Sequence, residues 1–135
     1  MPEAAVLVRA FYDEVWNRGD ADRARAILAP GVVFRGSLGD EHRGVEGFVA
    51  YMNGVRAALG DYRCDILDFV CGADRAAARM RFSGLHDAPF MGFAPTGRRI
   101  EWAGAAFFAV EDGRLSHIWV LGDLAGLRAS LEAAR

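Results

Sequence analysis

Asp123 closes the stretch HIWVLGD, residues 117–123, in which large apolar side chains alternate with other residues and no Arg or Lys adjoins the carboxylate. A carboxylate desolvated by apolar neighbours titrates nearer neutrality, which suits a group that removes and returns a proton beside a carbonyl. Asp123 also stands directly before a helical stretch beginning at Leu124, where aspartate is a common N-cap. The residues themselves leave these two readings level. His117 shares the parity of Asp123 but lies six residues earlier, roughly 20 Å along an ideal strand at about 3.3 Å per residue. That distance excludes a direct dyad and a shared metal, and makes His117 a pocket-lining, mouth or structural histidine.

Other polar groups could meet such a carboxylate. Tyr12, Trp16 and Tyr51 recur at helical spacing, which points first to core, yet a tyrosine hydroxyl in a dry site needs a hydrogen-bond partner and can orient a polar ligand. His86 ends a strand that exposes Met80 and Phe82 on one face and could approach the pocket from there, or be solvated at the strand's edge. His42, within Gly-Asp-Glu-His-Arg-Gly, reads as a loop residue. Scattered histidines without compact Cys/His spacing point to no metal. The segment APFMGFAPTG, 88–97, sets Phe90, Met91 and Phe93 among Pro and Gly, as in an apolar loop that closes a cavity or packs on a partner subunit. A phosphate loop, nucleophile elbow and dinucleotide fingerprint are all missing.

These groups need a scaffold. Val8, Phe11, Tyr12 and Val15 fall on one helical face, predicting a first helix over 3–17, with Gly19 at its end. Asp20 is placed to cap a second helix running through Leu28, which is the structural account of the Arg18-Gly19-Asp20 tripeptide. A short strand at 32–35 and a third helix over 45–59 follow, the latter presenting Phe48, Tyr51, Met52 and Val55. Strands are expected at 62–71, 75–86, 98–111 and 114–123, then a last helix at 124–133. Helices ahead of a run of strands indicate an α+β domain with one sheet face covered by helices.

Asp112-Gly113 is a two-residue hairpin signal. Counting outward from it pairs Phe108 with His117, Ala106 with Trp119, Gly104 with Leu121 and Trp102 with Asp123, all on one face. Small residues opposite large ones leave room for the large side chains, so Trp102, Phe108 and Trp119 become pocket walls around Asp123. The opposite face, Ala105/Val120 and Phe107/Ile118, is also apolar, and a second subunit could cover it.

Composition bounds the rest. The 135 residues fit one domain, 1–135, with 53% hydrophobic and 25% charged residues, as expected of a soluble protein. No apolar run reaches the roughly 20 residues that span a bilayer. Glu3 and Asp13 interrupt what would have to be a secretory signal, so a cytoplasmic location is expected. Sixteen basic and 18 acidic residues give a net charge of −2 with no basic run, which argues against nucleic acid as a partner. Cys64 and Cys71 on one strand would stand roughly 23 Å apart, too far for a disulfide.

The stretches FYDEVWNRGD (11–20), HRGVEGF (42–48), FSGLHDAPFMGFAPTGRRIEWAG (82–104) and EDGRLSHIWVLGD (111–123) give the chain, over nearly its full length, a resemblance to the SnoaL-like polyketide cyclases and the wider ester cyclases of the nuclear transport factor 2-like superfamily. The resemblance implies a cone-shaped α+β barrel, with N-terminal helices packed on a strongly curved, mainly antiparallel sheet around an apolar pocket. It implies a homodimer or homotetramer. It further implies a cofactor-independent intramolecular aldol condensation of a hydrophobic polyketide-like carbonyl compound, with Asp123 as general acid/base. Tyr12 matches a pocket tyrosine of the family, and the match lifts the catalytic reading of Asp123 above the cap. Substrate contacts are then expected from Tyr12, Trp16, Tyr51, His86, Phe90, Phe93, Trp102, Phe108, His117 and Trp119. Gly31 stands where many relatives have Asp, and Ala106 where many have a polar residue, which makes this cavity more apolar. A non-catalytic binding protein of the same fold, a cofactor-free polyketide hydroxylase and an epoxide-opening enzyme are the alternatives. The last relies on an Asp/Arg/Asp cluster, and the predicted pocket face places no Arg there.

Overall fold

The computed structural model describes residues 2–135. Helix α1 (Glu3–Ala10) continues without a break into a π-helical segment (Phe11–Trp16), and α2 (Ala21–Ile27) follows. Asp20 caps α2 as the sequence predicts, its side chain accepting from the Arg23 N–H at 2.9 Å. Then come β1 (Leu28–Arg35), β2 (Glu41–Arg43), α3 (Val45–Ala58), β3 (Leu59–Cys71), β4 (Arg75–His86), β5 (Arg99–Glu111), β6 (Arg114–Gly122) and α4 (Leu124–Ala133). The strands form one open six-stranded sheet in the order β2-β1-β6-β5-β4-β3. All neighbours are antiparallel except β1 and β6, so the sheet is mixed. This is the α+β cone that the sequence predicts, with helices laid on the inner sheet face.

The core lies between that face and the N-terminal helices. Phe11, Tyr12, Val15 and Trp16 are all buried in the π-helical segment. Phe11 packs on Phe34, Phe48 and Phe108 with ring centroids 5.3–6.3 Å apart, within the range of favourable aromatic contact. Both cysteines stand as free thiols on β3, Cys64 buried and Cys71 exposed. No helix among the described residues is long and apolar enough to cross a membrane.

The β5–β6 hairpin departs from the predicted register. Glu111 pairs with Arg114 as expected, but the ladder shifts by one between Ala109 and Val110. Beyond that point Phe108 faces Ile118, Phe107 faces Trp119, Ala106 faces Val120 and Gly104 faces Gly122. Ser116 is the extra residue, and its hydroxyl donates to the Ala109 carbonyl at 3.3 Å. A bulge adds one residue to one strand and therefore exchanges its two faces. Ile118 and Val120 are buried as a result, beside Leu115, which precedes the bulge and keeps its expected place opposite Val110, whereas His117 and Trp119 turn outward. His42 is corrected too: it lies on β2 opposite Phe34, not in a loop.

Phe108 is 2% exposed and stacks edge-on against Phe11 and Tyr12. Phe108→Ala is expected to lower the unfolding free energy by about 3–5 kcal/mol in urea titrations. A loss under about 1 kcal/mol would show that this layer is not the packed core described.

Candidate active site

Between the helices and the inner sheet face lies a cavity lined by residues of the π-helical segment, β1, the β1–β2 turn, α3, β3, β4, β5 and β6. Tyr12 and Trp16 reach it from one helical face, four residues apart. Phe34 enters from β1, Tyr51 and Val55 from α3, Tyr62 and Cys64 from β3, Phe82 from β4, Trp102 from β5 and Val120 from β6. Ser37 and Leu38, on the turn between β1 and β2, complete the wall. Leu38 and Tyr51 are the only lining residues that are not fully buried, so the turn forms the mouth.

Three contacts hold that mouth closed. The Ser37 hydroxyl accepts from the Trp102 indole N–H at 3.2 Å, across the cavity. Gly36 has no Cβ because the Tyr51 hydroxyl lies 2.8 Å from where one would be. A Cβ on Gly122 would run into the Ser37 backbone. The free space inside is about 20 Å³, room for about one water. An occupant larger than a water therefore needs lining side chains to move.

The lining is apolar apart from Ser37, the Cys64 thiol and the hydroxyls of Tyr12, Tyr51 and Tyr62, and it carries no charged side chain. The Tyr12 hydroxyl is buried with no hydrogen-bond partner. Burial raises the titration of Tyr12 and Tyr62 well above the ordinary phenol range, with the neighbouring Cys64 adding to it. Burial also raises Tyr51, followed by the nearby Asp40 charge, and burial raises the Cys64 thiol. All three phenols are thus neutral hydrogen-bond donors through the physiological range. No group of three or more His, Cys, Asp or Glu is placed for a metal among the described residues.

Of the predicted site residues, the fold brings Tyr12, Trp16, Tyr51 and Trp102 together. Phe108 is buried one layer behind, against Tyr12. Phe90 packs on Trp102 at 6.2 Å and pairs with Phe93 through reciprocal backbone hydrogen bonds, and no residue of the 88–97 loop lines the cavity. Phe93 lies under the Arg135 guanidinium at 5.0 Å. His86 is fully buried but contacts Thr96 through Nδ1 at 3.1 Å and lies behind Phe90. His117 and Trp119 are not pocket residues; the bulge puts them on the outer sheet face, where Arg35 stacks on Trp119.

Asp123 is exposed and accepts from the Gly126 N–H at 2.9 Å, capping α4. It no longer faces Trp102 in the ladder. Its own N–H donates to the Ala103 carbonyl at 2.8 Å, which continues the outward parity of Trp119 and Leu121, and Asp123 does not line the cavity. Phe34, Ser37, Leu38, Val55, Tyr62, Cys64, Phe82 and Val120 were missed by the sequence reading. Phe82 carried a signal, its inward alternation on β4; Ser37 and Leu38 carried none.

The chain is thus an α+β cone domain with an apolar, hydroxyl-bearing cavity between its helices and its sheet. The sequence profile described as SnoaL-like polyketide cyclase matches residues 6–131, and the chain belongs to that family. TsrD from Streptomyces laurentii is similar at 30% identity, covering 97% of this chain and 96% of its own, with a TM-score of 0.84. IdmH from Streptomyces antibioticus, a candidate polyketide cyclase, is 29% identical over 95% of this chain and 97% of its own, with a TM-score of 0.83. AclR from Streptomyces galilaeus, a candidate hydroxylase, is 25% identical over 96% and 84%, with a TM-score of 0.79. No curated protein matches the sequence.

The buried phenols predict the alkaline limit of stability. Below about pH 10 folded and unfolded chains both keep their tyrosine protons; above it the unfolded chain releases them and the folded one does not. Stability is therefore expected to fall as pH rises beyond about 10, with Cys64 contributing from about pH 8.5. The check is urea midpoints from pH 8 to 11.5 beside phenolate absorbance. Tyrosine ionisation at ordinary pH in a chain with native circular dichroism would show that the phenols are not buried.

Proposed function

We propose that this chain is a cofactor-independent cyclase or isomerase acting on a hydrophobic, polyketide-like carbonyl compound bound in the cavity. The observation that carries the reading is the Tyr12 hydroxyl, buried without a partner in an otherwise apolar hollow. A neutral phenol there donates to a carbonyl oxygen, and more strongly to the enolate formed when the adjacent carbon loses its proton. Trp16, Phe34 and Trp102 exclude water from that oxygen.

Asp123 is the proton shuttle in this reading. Its capping bond to Gly126 is worth about 0.5–2 kcal/mol, so a ligand entering past Ser37 can recruit the carboxylate at small cost. Deprotonation at the carbon α to the carbonyl places the proton on Asp123 and the charge on the oxygen bonded to Tyr12. Carbon–carbon bond formation at a second carbonyl then takes the proton back onto the new alkoxide.

A second reading, a binding protein without catalysis, is favoured by the carboxylate's exposure and its engagement with α4. Epoxide opening gains no support, since the lining holds neither Asp nor Arg. Cofactor-free hydroxylation would use the same cavity.

Asn caps as well as Asp, so Asp123→Asn should stay as stable as wild type, whereas Asp123→Ala should lose about 1 kcal/mol. Over a panel of polyketide-like β-keto esters, Asp123→Asn is expected to lose turnover by about two orders of magnitude or more, and Tyr12→Phe by about 10–100-fold without losing stability. Wild-type turnover in Asp123→Asn would leave Asp123 a helix cap. Tight binding with no turnover in any variant would favour the binding protein.

The reading includes self-association. Val70, Ala77, Phe107, Trp119 and Arg35 form one register row across the outer sheet face. Within it Val70 is 66% and Phe107 53% exposed, which supports a second copy covering this face. Phe107→Glu should halve the mass seen in sedimentation; a monomeric wild type would remove this part of the proposal.

A further inference from the structure

Besides Tyr12, two buried side-chain polar atoms among the described residues lack partners, Nε2 of His42 and Nε2 of His86. Such atoms are rare in native folds, and each calls for a water, an ion or a ligand. His86 lies behind Phe90, away from the mouth. His42 is placed differently. Its position on β2 is opposite Phe34, a lining residue, and its ring stacks on that of Tyr51 with centroids 4.5 Å apart and planes inclined by 36°. The imidazole is thus one ring removed from the cavity, at the half-buried end where Leu38 and Tyr51 form the mouth. The charge of Asp40, on the turn before β2, also acts on the Tyr51 phenol at this end.

We propose that His42, with Tyr51, forms a polar subsite at the mouth that takes a phenolic or enolic hydroxyl of the bound compound. The inference rests on the reading that the cavity receives an aromatic or polyketide-like compound. The chemistry of imidazole selects the group. A neutral ring nitrogen is a donor in one tautomer and an acceptor in the other, and a hydroxyl satisfies either, whereas an ether satisfies only the donor. The turn that seals the mouth is held by the Gly36 N–H to the Asp40 carbonyl at 3.0 Å and the Gly39 N–H to the Gly36 carbonyl at 3.0 Å. It leads directly into β2, so a ligand that displaces Leu38 meets His42 on entry. His42 is then a specificity-determining residue, and the subsite fixes which end of an elongated compound remains at the mouth while the other reaches Tyr12.

The test compares 1-naphthol with 1-methoxynaphthalene at neutral pH, followed by tryptophan fluorescence; Trp16 lies edge-on to Tyr51 at 6.2 Å and reports the site. His42→Phe keeps the stacked ring and removes both nitrogens, and His42→Gln restores a donor and an acceptor. Wild type is expected to bind the naphthol about ten-fold more tightly than its methyl ether, the worth of about one hydrogen bond. In His42→Phe the ratio should fall to about one with the ether's affinity unchanged, and His42→Gln should recover part of it. If His42→Phe does not fold, the Gln variant is compared with wild type, and it should show a reduced ratio. Equal binding of both compounds by wild type, as when a water satisfies the nitrogen, or an undiminished ratio in the variants, overturns the subsite alone. Failure of wild type to bind either naphthalene removes the cavity reading and the subsite with it.

Discussion

The cavity's composition depends on a single extra residue in β6. With Ser116 bulged out, Leu115, Ile118 and Val120 point inward and His117, Trp119 and Leu121 point outward. Without it the residues beyond the bulge, His117 to Leu121, would exchange faces while Leu115 stays opposite Val110, because alternation along a strand has a period of two. The bulge therefore gives the inside aliphatic side chains that fit beside Phe108 and Trp102. It leaves outside the indole of Trp119 and the side chain of Leu121, which add to the exposed apolar surface of the outer face. Inner cavity and outer face are two consequences of the same shift.

What the cavity can do follows from its dielectric character. Its polar atoms are hydroxyls and one thiol, all neutral because burial disfavours their ionised forms. Such a site does not attract charge; it offers hydrogen bonds to oxygen atoms already attached to an apolar body. The orphaned Tyr12 hydroxyl at the base and the orphaned His42 nitrogen near the mouth are the places where the fold leaves that capacity unspent. The Ser37–Trp102 bond lies across the cavity that Tyr12 lines.

Asp123 shows how one residue serves two levels of structure. Its carboxylate ends β6 and starts α4, and the cap is a local interaction that any helix beginning at Leu124 would favour. A backbone bond to the Ala103 carbonyl ties the same residue to the end of β5. Because capping is weak compared with the burial of α4 through Leu127 and Leu131, the helix does not rely on the carboxylate for its place, which leaves the side chain free for other work.

The sequence by itself determined the elements and the class. Apolar residues at helical spacing set α1 and α3, Asp20 and Asp123 marked the starts of α2 and α4, alternation marked β3 to β6, and Asp112-Gly113 placed the hairpin turn. These are local signals, carried by a few neighbouring residues. Tyr12, Trp16, Tyr51 and Trp102 were legible as cavity residues because each is an aromatic on a predicted inner face. Only the tertiary structure decided the bulge at Ser116, the parallel pairing of β1 with β6, the small strand that carries His42, and the turn that brings Ser37 and Leu38 over the mouth. None of these has a local signature. A bulge is fixed by which face of a strand the rest of the core requires, and a turn's place over a cavity is fixed by what stands opposite it, here the indole of Trp102 and the phenol of Tyr51.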